Sequence, residues 1–165
     1  MVLRSWARRE ALNRLAELPQ RLAHTAEVAE AAQRIAWVAG SDDDLLIAAA
    51  WLHDIGYAPA LTLIGFHPVD GARYLQDVGA PGRLTNLVAR HSCAIVEAKH
   101  RGLEGEAQSF PDEHGVVRAA LWYCDMTTSP DGQLVTLDHA WHSMSICETS
   151  SPLRTAVKRL TRSAA

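Results

Sequence analysis

Six ionisable side chains fall where apolar ones are expected: His24, the adjacent pair His53 and Asp54, His67, His91 and Asp125. The pair closes the apolar half of the stretch AAAWLHDIGYAP, Ala48 to Pro59. A buried polar group without a partner costs about 1–3 kcal/mol against a total stability of about 5–15 kcal/mol, so six of them must satisfy one another. Imidazole nitrogen and carboxylate oxygen are donors that divalent first-row metals accept, and a cation also offsets the carboxylate charge. The chemistry within reach is metal binding, with a hydrogen-bonded His/Asp network lacking any ion as the competing arrangement.

Spacing indicates that these groups face inward. His24 lies four residues before Val28 and eleven before Ile35, on the apolar face of a helix. His67 precedes Gly71, Tyr74, Leu75 and Val78 at helical steps, and His91 follows Leu84, Leu87 and Val88. Asp125 extends the stripe of Val117 and Leu121.

The elements that must position them read as helices throughout. A first helix covers 3–18 and is broken at Pro19. A second runs over 22–38 to Gly40, and a third over 45–52, with Ser41 as its N-cap and acidic residues 42–44 at the positive end of its dipole. Gly56, Pro59 and Gly65 mark a loop, after which His67-Pro68 opens a fourth helix to about 78. A fifth helix is expected over 84–99, a surface loop over 100–111 and a sixth helix over 112–127. SPDG at 129–132 is a turn, and 134–144 and 153–161 read as further helices. Without any clean period-two stretch, the class is all-α, a compact single-domain helical bundle over residues 1–165 in which 131–165 complete the bundle.

Composition narrows the function classes. The formal net charge is −3 and the pI about 6.2, so no overall positive field draws the chain to nucleic acid or an anionic membrane. There is no signal-peptide-type apolar core and no run of about 18 apolar residues, which reads as a cytoplasmic protein without a membrane span. Cys93, Cys124 and Cys147 have no CxxC spacing and read as reduced, partly buried thiols. Cys124 is adjacent to Asp125, but neighbouring helical residues diverge by about 100 degrees, against a nucleophilic role.

His24, the HD doublet at 53–54 and Asp125 resemble the HD-domain superfamily of metal-dependent phosphohydrolases, and the apolar run ending in HDIG is especially close to its signature. The resemblance spans residues 20–130. It implies that His24, His53, Asp54 and Asp125 are metal ligands, with Asp54 bridging in any two-metal form, and that His67 and His91 hold a second metal. It implies one or two divalent ions among Mn, Fe, Co, Ni, Mg and Zn. The implied activity is hydrolysis of a phosphoester or phosphoanhydride, of a nucleotide or a related small phosphorylated metabolite, by metal-activated water, with Asp54 orienting or deprotonating that water. No GYP motif follows, which speaks against the cyclic di-GMP phosphodiesterase branch, and the chain is short for the multidomain ppGpp enzymes.

Arg73, Arg90, Lys99 and Arg101 lie near these positions in sequence and are candidates for phosphate contacts. Glu97 reads as a helix-surface residue that could also serve proton transfer. His139 and His142, three residues apart, form a weaker alternative second-metal pair. The reading from another functional class is a non-catalytic HD module that binds metal or nucleotide as a regulator. Homo-oligomerisation is left open.

Overall fold

Beyond its two leading aspartates, the segment Asp43–Leu52 is apolar nearly all round, and it forms the central helix of an all-α fold. The structure, a computed structural model, describes residues 2–130. In chain order its helices are α1 (Leu3–Arg14), α2 (Pro19–Ile35), α3 (Asp43–Leu52), α4 (His67–Asp77), α5 (Gly82–Ala89), α6 (Ala94–His100), α7 (Glu104–Gln108) and α8 (Val116–Met126). Short 3-10 turns cover Ala36–Asp42, Ile55–Tyr57 and Pro59–Leu61. No strand occurs among the described residues. None of the described helices is long and apolar enough to cross a membrane.

α3 buries Leu46, Ile47, Ala48, Ala49, Ala50 and Leu52 and packs against α1, α2, α5 and α8. Its three alanines meet a buried set of other small residues, Ala29, Ala31 and Ala32 on α2 and Ala120 on α8. Small side chains let helix axes approach closely, so the ends of α2, α3 and α8 are held in a tight cluster.

The helix boundaries depart from the sequence reading for identifiable reasons. α1 stops at Arg14, and Pro19 opens α2 as its first residue, where a missing N–H breaks no helical bond. Ser41 does not cap α3, because it lies within the 3-10 turn and Asp42 occupies the cap position. The acidic run serves α1 as well: an Asp44 carboxylate oxygen accepts from the Leu3 amide at 2.9 Å, and its partner oxygen lies 2.7 Å from Arg4 Nε.

The single helix expected over 84–99 is two helices, α5 and α6, separated at residues 90–93. Ser92 and Cys93 adopt φ of 39° and 67°, the left-handed region that L-residues seldom enter. Apolar residues resume on both sides of this break, so periodicity alone runs straight through it. The stretch expected to be a loop at 100–111 contains α7, and α8 begins after Gly115.

Cys124 is a free buried thiol, as the sequence reading expected of it. Cys147, the expected helices at 134–144 and 153–161, and the pair His139 and His142 lie outside the described residues.

One backbone contact positions α4. A Cβ placed on Gly56 would lie 2.0 Å from the His67 carbonyl oxygen and 2.6 Å from the Gly71 amide nitrogen. A Cβ on Gly71 would in turn approach the Gly56 nitrogen to 3.0 Å. Two glycines facing each other thus let the first turn of α4, which carries His67, lie directly on the turn that follows Asp54.

Candidate metal centre

The helix ends place their polar residues together. His24 projects from the buried stripe of α2, next to Val28 one turn on. His53 follows the last residue of α3 in helical conformation, while Asp54 has left it with φ −101° and ψ 8°. This change of backbone at the helix end brings two adjacent side chains into one site. Asp125 extends the buried face of α8 near its C-terminus. His67 begins α4, and His91 sits in the break between α5 and α6.

Two groups of donors result. In the first, His24 Nε2 lies 3.0 Å from Asp125 Oδ1, and His53 Nε2 lies 3.4 Å from His24 Nε2 and 3.5 Å from Asp125 Oδ1. In the second, His67 Nε2 lies 3.3 Å from His91 Nε2, 3.4 Å from Asp54 Oδ1, and His91 Nε2 lies 3.7 Å from that oxygen. The other carboxylate oxygen of Asp54, Oδ2, faces the first group, 3.4 Å from His53 Nε2 and 3.8 Å from His24 Nε2. Asp54 therefore offers one oxygen to each group.

The tautomers follow from second partners. Nδ1 of His24, His53 and His91 faces the carbonyl oxygens of Ser129, Ala50 and Val88 at 2.9, 2.8 and 2.6 Å. A carbonyl only accepts, so each Nδ1 carries its proton and donates, leaving Nε2 aimed at the site. The Nε2 atoms of His24 and His53 then face each other, and a proton or a cation between them is required to satisfy both lone pairs.

The electrostatics of the two sets differ. Burial opposes charge on Asp54, yet His53 outweighs it and holds the carboxyl well below the usual carboxylate range. Asp125 is likewise held well below that range despite its burial, by His53 and His24. Burial also disfavours charge on His53, but Asp54 and Asp125 raise it well above the ordinary imidazole value. Burial, reinforced by His91, lowers His67 to about 3, and burial with His53 lowers His91. The centre thus presents ionised carboxylates and, at His67 and His91, unprotonated imidazoles, the forms in which both bind metal, while the carboxylates hold a proton on His53 that a bound cation would displace.

The residues fit a divalent ion by spacing as well. Ligands about 2.0–2.2 Å from a common ion are about 2.8–3.6 Å apart at octahedral or tetrahedral angles. The principal separations here fall between 3.0 and 3.8 Å. Two sets, His24 with His53 and Asp125, and Asp54 with His67 and His91, each gather their ligand atoms within 4.8 Å.

Other side chains fix this arrangement. Asp70, buried on α4, accepts from the amides of Ile64 and Phe66 at 3.0 and 3.1 Å, tying the chain before His67 to its own helix. The His67 ring stacks on Tyr57, centroid to centroid 3.9 Å and 16° from parallel. The Ser92 hydroxyl donates to Asp125 Oδ2, leaving Oδ1 for the imidazoles. Tyr57, His67, Ser92 and Asp125 border a cleft of about 190 Å³ that Asp54 also lines.

None of the four cations expected to contact phosphate lines this cleft, and each has a partner among the described residues. Arg73 pairs with Glu106, and Lys99 approaches Glu104 to 3.5 Å. Arg90 donates to the Ala107 carbonyl at 3.1 Å and lies 3.7 Å from Asp112. Arg101 donates to Glu97 at 3.1 Å and to the Gly65 carbonyl at 2.6 Å. Pro68, Ser92 and Ala94, beside His67 and His91, do line the cleft. Arg21 lines the cleft instead, with Tyr57 and Ser92, three residues that the sequence reading missed. Glu97 also borders the cleft.

A family model described as HD domain matches residues 21–133, more than half of the chain. No curated protein and no solved structure matches the chain.

Proposed function

Because the chain belongs to the HD-domain family, most of whose members are metal-dependent hydrolases, we propose that it hydrolyses a phosphoester or phosphoanhydride of a small metabolite, nucleotides included, with divalent metal as cofactor. The observation that carries this reading is Asp54, which turns one oxygen to each of two donor sets.

On this reading His24, His53 and Asp125 with Asp54 would hold one ion, and His67 and His91 with Asp54 would hold a second. A divalent ion bound here supplies a lowered pKa for water and polarisation of a phosphoryl oxygen. The chain's own residues do the rest. Asp54 stays ionised beside the site, where its charge orients the attacking water. His67 and His91 remain unprotonated, so they do not repel an incoming cation. The backbone carbonyls behind His24, His53 and His91 keep each ring turned toward the ligand side. Tyr57 prevents the His67 ring from rotating out of line.

The test is elemental analysis of protein purified without chelators, followed by a panel of phosphomonoesters and nucleotides with the native metal restored. Asp54→Ala should lose both metal and turnover. His91→Ala should take a two-ion protein toward one ion with its fold retained. Metal binding with no hydrolysis across the panel would overturn the enzymatic reading in favour of a binding module.

A further inference from the structure

His91 stands in the connection between α5 and α6, where Ser92 and Cys93 adopt φ of 39° and 67°. L-residues seldom hold such left-handed backbone, and it persists where surrounding contacts over-determine it. Here those contacts come from α8. Arg118, Trp122 and Asp125 stand at i, i+4 and i+7, on a common side of that helix. The Trp122 indole N–H donates at 3.1 Å to the carbonyl oxygen of Arg90, the residue before His91. The hydroxyl of Ser92, the residue after His91, donates to Asp125 Oδ2. Cys93 packs with Ala119 and Trp122 in a small buried apolar cluster.

The indole that makes the first of these bonds is itself fixed. Trp122 is buried, and the guanidinium carbon of Arg118 lies 3.8 Å from the centre of its ring. Arg118 is buried as well and donates at 2.9 Å to Asp112, whose carboxylate lies 3.7 Å from the Arg90 guanidinium. A buried guanidinium is costly unless paired, and this pairing anchors Arg90 through its side chain as Trp122 does through its carbonyl. Asp112, Arg118 and Trp122 do not line the cleft, so contact with a substrate does not account for them. Positioning of His91 does. The Nδ1 bond of His91 to the Val88 carbonyl aims the ring, but it lies within the same chain segment and leaves the distance to Asp125 unset.

Asp125 belongs to the first donor set and His91 to the second. α8 therefore reaches both, the first directly and the second through the residues on either side of His91. We propose that Trp122 and Ser92 are positioning residues that hold His91 against α8, so that one helix sets the separation of the two ion sites. The inference rests on the two-ion reading above and is independent of what the site hydrolyses.

The experiment titrates metal-free protein with manganese(II), reading bound metal, dissociation constants by chelator competition, and the electron paramagnetic resonance signal of two ions coupled through a shared carboxylate. Trp122→Phe keeps a ring and removes the N–H. Ser92→Ala removes the hydroxyl, and Ser92→Gly removes it while relieving the backbone. Second-ion affinity should fall about three- to tenfold in Trp122→Phe, and about ten- to hundredfold in both Ser92 variants because their lost bond is to a carboxylate. The coupled signal should weaken in all three, while first-ion affinity holds in Trp122→Phe. Leu15→Val, which shortens a buried core side chain just beyond α1, is the control: it should lower Tm and leave the second ion and the coupled signal unchanged. Wild-type second-ion affinity and signal in a folded Trp122→Phe or Ser92→Ala would overturn the role of that residue. Recovery of wild-type behaviour in Ser92→Gly would overturn the role of the hydroxyl. If Trp122→Phe loses its helical circular dichroism, the Ser92 variants decide. A wild type that takes up one ion removes the two-ion reading and the proposal with it, whereas two ions without turnover of any phosphoester leave the proposal standing and refute the hydrolase reading alone.

Discussion

Replacing Gly56 by alanine tests whether the second donor set depends on backbone contact between the Asp54 turn and α4. Gly56 is absent from the residues with left-handed backbone, so alanine meets no conformational penalty there, only a lack of space. The new Cβ would sit 2.0 Å from the His67 carbonyl oxygen and 2.8 Å from its carbonyl carbon, both backbone atoms that no rotamer change can move. Ordinary contact needs about 3.4 Å or more, so the start of α4 must retreat by on the order of 1 Å. His67 Nε2 is 3.4 Å from Asp54 Oδ1 and 3.3 Å from His91 Nε2, and a shift of that size takes it out of ligand range. The first set, on α2, α3 and α8, does not touch this contact. Overpacking of this kind costs about 1–3 kcal/mol, which for a domain of this size lowers Tm by about 2–4 °C per kcal/mol. Gly56→Ala should therefore retain one ion while losing the second, with Tm down by several degrees. Gly105→Ala on α7 is the control, because its Cβ meets nothing within 4 Å, and it should leave both metal content and Tm intact or raise Tm slightly. Wild-type metal stoichiometry and Tm in Gly56→Ala would refute the reasoning.

Asp70→Ala removes the acceptor of the Ile64 and Phe66 amides and should cost about 2–4 kcal/mol in denaturant unfolding; a loss within experimental scatter would show that water replaces the carboxylate. Cys124 is buried, and burial with Asp125 nearby pushes its thiol well above the ordinary range, so it should resist an aromatic disulfide reagent at pH 8 until the protein unfolds. Stability of the chelated, metal-free protein should have its maximum near neutral pH. His67, lowered to about 3, stays neutral in the fold while the unfolded chain takes up a proton through about 6.5, so stability falls as pH drops through that window. Asp54 and Asp125, held below the usual carboxylate range, lose their contribution on further acidification. His53 acts oppositely: its raised value means a contribution fully present below about 6.5 and lost as pH rises from there through the raised value. Chemical denaturation across pH 4 to 9 measures this, and stability that rises steadily from pH 6 to 4 contradicts it.

The donor residues were legible because burial leaves a periodic trace. His24 and Asp125 extend apolar stripes, and the HD doublet terminates the most apolar helix, so each could be assigned an inward direction without knowing its neighbours. What surrounds them was legible only in part. Arg21 is three residues before His24 and shares its face, a signal present in the sequence but overlooked in favour of cations near His67 and His91. Tyr57 stood in a stretch read as loop, where glycine and proline say that helix ends but not which way a ring points. Ser92 reaches Asp125 through left-handed backbone at a serine and a cysteine, and neither residue type announces that conformation. The break between α5 and α6 was hidden for the same reason.

The two donor sets are supported by different kinds of structure. His24, His53 and Asp125 come from three helices packed through small buried residues in the main core, so their mutual distances are fixed by the same contacts that hold the fold. His67 and His91 stand at a helix start and in a strained connection, placed by a glycine contact, one aspartate and one aromatic stack. Perturbing any of these local devices affects the second set while the core, and with it the first, stays assembled. Asp54 is the element common to both, and it sits where the central helix gives way to that more local scaffold. A single aspartate following histidine at a helix end therefore joins a core-built set to a loop-built one, and the order in which metal is lost on graded chelation should follow that division: His67 and His91 first, His24, His53 and Asp125 last.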